Sequence, residues 1–313
     1  MILDMFRGWV MARMFLAGAC YVLMLLLPVN ASAYDIKNVK HLFDLTLASK
    51  SKLELPTDVS VNKNKIYVLD GANNRVVVYN HSGKYLFSIG EKGNQAGLFN
   101  MPVGLKATEK HLYVADTGNH KVRIFDVNGQ LQKSFLIHAE GKEERPIDIE
   151  VSADEKKIFV TGNNRHEIMV YDTNGKELQF WGGRGEGKGK FRYPATIASM
   201  SKGRKIIIDV LNSRAQIFTE KGRYLNSIGK KGVLPGRFFR PKGVAVDKLH
   251  RIYISDSYMN VIQVFDEDGD LQHILGNHGD VLKFNAPAGM DVNGDFLYVT
   301  EVLGNKVSVY KLD

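Results

Sequence analysis

The chain has 313 residues, 44% hydrophobic and 24% charged, with 30 glycines against 8 prolines. That composition excludes a disordered or collagen-like chain and points to a folded protein with many turns, in one domain or two. The formal charge of +8 favours anionic partners through long-range attraction but carries no information about fold.

Residues 1–33 read as a signal peptide. Arg7 and Arg13 precede an apolar stretch from Met14 to Val29, and Ala31-Ser32-Ala33 then supplies the small-x-small pattern that places cleavage before Tyr34. At 16 residues the stretch is short for a membrane span of about 20, so an uncleaved anchor would be the only link to a membrane. Cys20, the single cysteine, lies inside the apolar run instead of closing it, unlike a lipoprotein cleavage site. The mature chain then has no disulfide, thiolate ligand or cysteine nucleophile. The expectation is an exported protein, periplasmic or secreted.

Downstream, His41 to Leu47 reads as one strand, with Leu42, Asp44 and Thr46 alternating against Phe43, Leu45 and Leu47. A repeat follows. Prolines recur at Pro56, Pro102, Pro146, Pro194, Pro241 and Pro287, with spacings of 46, 44, 48, 47 and 46 residues. Each opens a unit containing an apolar triplet such as Ile66-Tyr67-Val68 or Ile252-Tyr253-Ile254. A polar residue closes that strand at Asp70, Asp116, Asp209, Asp256 or Glu301, with Gly162 in the third unit. Nine residues later comes Tyr79, Phe125, Phe218, Phe265, Tyr310 or Tyr171, and this constant offset means a fixed hairpin. A glycine turn at Gly83, Gly129, Gly175, Gly222 or Gly269 then leads into a further short strand.

Four short antiparallel strands in a unit of this length make a propeller blade, because such a sheet cannot bury both faces alone and stacking around an axis covers them. The predicted fold is all-β, a six-bladed β-propeller spanning residues 34–313. The sixth unit stops after its third strand, Val307 to Tyr310. The early strand near 41–47 is therefore expected to pair with it and close the ring, removing two free sheet edges.

The blade pattern is carried most clearly by Pro241 to Asp247 and Arg251 to Asp266. Together with Asp116-Thr117-Gly118-Asn119-His120-Lys121-Val122 in the second unit, it resembles the NHL repeat, in an exported bacterial-type member. The third unit departs from the pattern at Gly162-Asn163-Asn164-Arg165-His166. The resemblance implies a fold more than an activity, since NHL propellers include RNA-binding modules, protein-interaction domains, a peptide-amidating lyase and relatives of lactonases.

Three groups of residues could carry chemistry. The strand-closing acids read as structural, an Asp capping the following turn and pairing with a cation five residues on: Arg75, Lys121, Arg214 or Lys306. On the inner strands, Asp58, Asp148 and Asp291 are read as occupying one early position in three blades, where carboxylates could hold a calcium ion at the channel mouth. No histidine falls on these strands, which argues against a catalytic imidazole at the axis. The third group is basic: Arg184, Lys188, Lys190 and Arg192 before the fourth blade, and Lys230, Lys231, Arg237 and Arg240 before the fifth. Glycines 182, 183, 185, 187 and 189 separate the first set, and Trp181, Phe191, Tyr193, Phe238 and Phe239 lie beside both. Flexible cationic loops of this kind fit an anionic or planar partner.

The leading expectation is a non-catalytic extracytoplasmic scaffold that presents this basic face to a protein or an anionic envelope partner, with no cofactor apart from the calcium ion considered above. A metal-dependent lactonase-like hydrolase or lyase at the channel mouth is the first alternative. RNA binding is the second and applies only if the chain is not exported, because the export signal argues against a nucleic-acid partner.

Overall fold

A computed structural model describes residues 34–47, 52–139 and 141–312. The leader expected over residues 1–33 lies outside these. Residues 35–312 form one compact unit of six blade sheets, each with an inner strand that begins at or just after one of the repeat prolines, and a small two-stranded ribbon of His138–Ala139 with Lys142–Glu143.

In blade one the strands are Pro56–Val61, Ile66–Asp70, Arg75–Tyr79 and Tyr85–Ile89, hydrogen-bonded in that order from the inside outward. The second and third strands are buried almost throughout, because the neighbouring blades cover both faces of the sheet. They therefore read as continuous apolar runs. Outer strands such as Leu131–Leu136 alternate between half-buried and exposed positions, as a strand with one covered face must.

The apolar side chains segregate into six clusters, one at each seam between adjacent blades. Phe99, Phe191, Phe238 and Phe284, each three residues before a repeat proline, plug four of these seams. Leu53 takes the equivalent place between blades six and one, and Ile137 fills that role between blades two and three.

The ring closes as expected. Lys40–Leu45 pairs antiparallel with Lys306–Lys311, the third strand of blade six, with Asp44 opposite Ser308 and Leu45 opposite Val307. Phe43, Leu45 and Leu47 face the core between blades six and one, and Leu45 is fully buried. Ser308 Oγ donates to Asp44 Oδ1 at 2.7 Å, and Lys306 Nζ donates to the other oxygen at 3.1 Å. A feature outside the sequence reading precedes this strand: Asp35–Asn38 adds in parallel to the outer strand of blade five, Leu271–Asn277.

Candidate functional site

The strand-closing acids are structural. Each accepts the backbone N–H of the residue two before its own blade's proline: Glu54 on Asp70, Asn100 on Asp116, Arg192 on Asp209, Phe239 on Asp256 and Asn285 on Glu301. In three blades an asparagine three residues on, Asn73, Asn119 or Asn212, donates to the second oxygen. The expected cation pairs form at Arg75–Asp70 (2.8 Å), Arg214–Asp209 (2.9 Å) and Lys306–Glu301 (3.4 Å). In blade two the partner of Asp116 is Arg123, fully buried at 2.7 Å, and not Lys121 as the spacing predicts. Two residues further along the next strand, Arg123 projects from the same side of the sheet.

Blade three fills its station from the opposite side. Gly162 stands where the acid belongs, and a Cβ there would lie 2.7 Å from Glu144 Cγ. Glu144, two residues before Pro146, is fully buried, and its carboxylate accepts the N–H groups of Arg145, Asn164 and Arg165. The missing carboxylate is thus supplied by the very position whose N–H the other blades cap.

The basic loops are more ordered than their glycines imply. In 183–191 the N–H of Phe191 donates to Gly183 O and that of Gly185 to Phe191 O; Phe238 with Lys230 and Gly232 repeats this, as does Phe99 with Glu91 and Gly93. The glycine before the loop allows close approach: at Gly229 (φ 78°) a Cβ would sit 2.3 Å from the Phe238 ring. Phe191 and Phe238 are accordingly core residues, whereas Tyr193 and Phe239 remain exposed at 49% and 37%. The flexible embrace read from the sequence is corrected to a set of folded loops bearing surface cations.

Those cations divide. Lys190 Nζ donates to Gly182 O, Arg192 pairs with Glu186 at 2.9 Å, and Arg237 is half-buried. Arg184, Lys188, Lys230, Lys231 and Arg240 are exposed with no carboxylate partner among the described residues, although Lys188 lies 5.9 Å from the Tyr224 ring centre.

The inner-strand acids act as staples between blades. Asp58 Oδ2 accepts the N–H of Leu105 in blade two, Asp148 Oδ2 that of Ile197 in blade four and Asp291 Oδ2 that of Val61 in blade one. Each also accepts a backbone N–H next to it in sequence. Burial and then the charge of Asp148 push the Asp58 carboxyl well above the usual carboxylate range. Burial also pushes Asp148, up to about 7, against the opposing pull of its N–H donors.

The three do not share one position. Asp58 and Asp148 lie two residues after their prolines and Asp291 four, so Asp291 sits deeper, level with Glu150 and its partner Lys106 (3.0 Å). Among the described residues, no group of three His, Cys, Asp or Glu side chains is placed to hold a metal.

Above Asp58 and Asp148 the channel opens into a funnel of about 800 Å³, on the face that carries the basic loops. The residue after each repeat proline lines it: Thr57, Val103, Ile147, Ala195, Lys242 and Ala288. Lys242 is the single charged member of this ring. Lys242 as a whole is solvent-exposed, but partial burial of its amine end and, after it, the charge of Arg240 pull that amine below the usual lysine range. Arg240 and Tyr193 also line the funnel, as do Thr57 and Asn163, whose Oγ1 and Oδ1 atoms have no hydrogen-bond partner. Of the eight basic residues singled out from the sequence, only Arg240 reaches this cavity. Lys242 escaped notice because a lysine one place into a strand reads as a solvated edge. Aligning the six units on their prolines exposes it, since the other five residues there are small or apolar.

The sequence matches the family described as six-bladed β-propeller, DUF5128, over residues 45–135 and 194–274. No curated protein matches it. Among solved structures, a gluconolactonase from Xanthomonas campestris is similar with a TM-score of 0.65 at 15% identity, over 90% of this chain and 96% of that one. Virginiamycin B lyase from Staphylococcus aureus is similar with a TM-score of 0.59 at 13% identity, over 87% and 99%. A Bacteroides thetaiotaomicron structural genomics protein of unknown function has a TM-score of 0.66 at 16% identity, over 88% and 74%. At these identities the likeness is one of fold.

Proposed function

Because the chain belongs to the six-bladed β-propeller family DUF5128, a fold that hosts binding and catalysis alike, its role must be argued from the funnel face, and we propose a non-catalytic scaffold there. The protein is exported, its blades are of NHL type, and it takes an acidic protein or anionic envelope polymer on that face. The observation that carries this reading is the set of five exposed cations without carboxylate partners, Arg184, Lys188, Lys230, Lys231 and Arg240, on the loops that enter blades four and five. Exposed apolar side chains accompany them: Tyr193, Leu234 and Phe239, the last stacked on Tyr258 at 4.1 Å. Arginines beside aromatic side chains are the usual anchors of recognition surfaces, and the lysines add long-range attraction for an anionic partner.

The alternative, a hydrolase or lyase working at the channel mouth, has less support. No histidine lines the funnel among the described residues, Asp58 accepts a backbone N–H on each carboxylate oxygen, and Asp148 accepts those of Ile197 and Ile149.

The test is association with isolated acidic envelope components at increasing salt. Binding should weaken steeply with ionic strength and be lost when Arg184, Lys188, Lys230 and Lys231 are all changed to Glu. Binding that survives the fourfold change sinks the reading.

A further inference from the structure

The six units place six equivalent side chains around the funnel, and five of them, Thr57, Val103, Ile147, Ala195 and Ala288, are short or apolar. A lysine in the sixth place is a departure from the rule the other blades obey. Among the described residues its amine has no hydrogen-bond or ion-pair partner, which leaves it free to meet a ligand. The next cation in the cavity, Arg240, stands two residues away on the same blade and likewise has no carboxylate partner. Two like charges set together in a concave, partly desolvated place repel each other, and an anion between them would relieve that cost. The rest of the wall is what an apolar ligand body requires: Val103, Ile147, Val210 and Val302, with the Tyr193 ring at the rim. A largely apolar cleft of several hundred Å³ with a few convergent polar groups is the usual form of a small-molecule site.

We propose that the funnel binds a small organic anion, its carboxylate or phosphate held by Lys242 and Arg240 and its apolar body lying against the aliphatic ring. This deepens, and rests on, the assignment of the funnel face as the binding face. The acids below, Asp58 and Asp148, are occupied by backbone donors and close the floor.

The experiment uses four probes on the exported chain: naphthalene-2-carboxylate, 2-naphthyl phosphate, octanoate, and the neutral isostere naphthalene-2-carboxamide. Titration calorimetry or ligand-observed NMR should show one acid or phosphate bound per chain, at least tenfold tighter than the amide. Lys242→Ala should weaken the anions at least tenfold without changing the amide, and Lys242→Arg should restore them. The Lys242 amine has no hydrogen-bond or ion-pair partner among the described residues, so both variants should unfold near the wild-type midpoint; were the alanine variant to misfold, the same comparison would be read from Lys242→Gln. The fourfold loop variant should still bind the probes, which separates this site from the macromolecular surface. Equal affinity for acid and amide, no response to Lys242 replacement, or no binding of any anion overturns the pocket. Salt-sensitive capture of the envelope component would then still stand or fall separately, on the loop cations.

Discussion

At the scale of single residues, the carboxylate that ties each inter-blade loop is a fixed requirement, and the chain meets it by two routes. Five blades place it at the end of the second strand; blade three places it at Glu144. Removing a buried acceptor leaves its donors without partners, which costs about 1–3 kcal/mol. Glu144→Ala should therefore lower stability by that order. Gly162→Asp alone should also destabilise, since its Cβ would meet the Glu144 side chain at 2.7 Å. Combining the two substitutions should recover part of the loss, because the aspartate then enters the vacated space. A double-mutant cycle in urea measures this coupling, and strict additivity of the two costs would refute the exchange. The sequence made the regular stations legible, since Asp and Asn at fixed offsets define them. It hid Glu144, because the substitute lies on a different segment, 18 residues upstream of Gly162.

At the scale of the element, the blades are joined by a second repeated device. The residue before the proline adopts left-handed backbone at Leu55 (φ 46°), Met101 (48°), Tyr193 (61°) and Ala286 (54°). Non-glycine residues rarely adopt this conformation, so something must hold it. The holder is a side chain from the preceding blade's hairpin that accepts the strained N–H: Asn305 for Leu55, Asn74 for Met101, Asn260 for Ala286 and His166 for Tyr193. Three latches use an amide and one uses a titratable ring. His166 must be neutral to accept through Nδ1 (3.2 Å), and burial, followed by the charge of Arg184, holds its proton affinity below the usual histidine value. Arg192 acts in the same direction, whereas Glu144 and Asp209 oppose it. With the folded-state value depressed, the unfolded chain binds more protons just below the ordinary histidine value of about 6.5. The stability from this latch is therefore complete above that pH and is lost as pH falls beneath it. His166→Asn should leave the melting midpoint near the wild-type value at pH 8 and raise it relative to wild type at pH 5. Parallel pH profiles for the two proteins would dismiss the latch. No pattern in the sequence marks these positions, because Asn, His and Ser alternate there and the hydrogen bond spans two blades.

At the scale of the whole molecule, six sheets cover one another and the ring is complete only where the two ends of the chain meet. This architecture was legible in the sequence because proline spacing, a nine-residue offset and a blade lacking its fourth strand all report backbone periodicity. The funnel was not, because a cavity is a property of the ring and its lining comes from one residue in each unit. Closure gives the last test. Leu45 is fully buried between blades six and one, Phe43 packs beside it, and Asp44 holds Ser308 and Lys306. The preceding strand, Asp35–Asn38, only extends the edge of blade five. The two N-terminal strands should therefore differ sharply in what they contribute. A chain beginning at Val39 should keep a cooperative transition, with its midpoint lowered by no more than a few degrees. A chain beginning at Thr46 exposes the last blade's edge and opens a seam of the core, at a cost of about 2–5 kcal/mol for the buried leucine alone. At about 2 °C per kcal/mol for a domain of this size, the leucine alone lowers the midpoint by about 4–10 °C, and the bared strand adds self-association. Thermal unfolding with sedimentation of both truncated chains distinguishes them. If the shorter one melts with the longer and stays monomeric, the ring is held shut by its apolar seams alone and the N-terminal strand is dispensable.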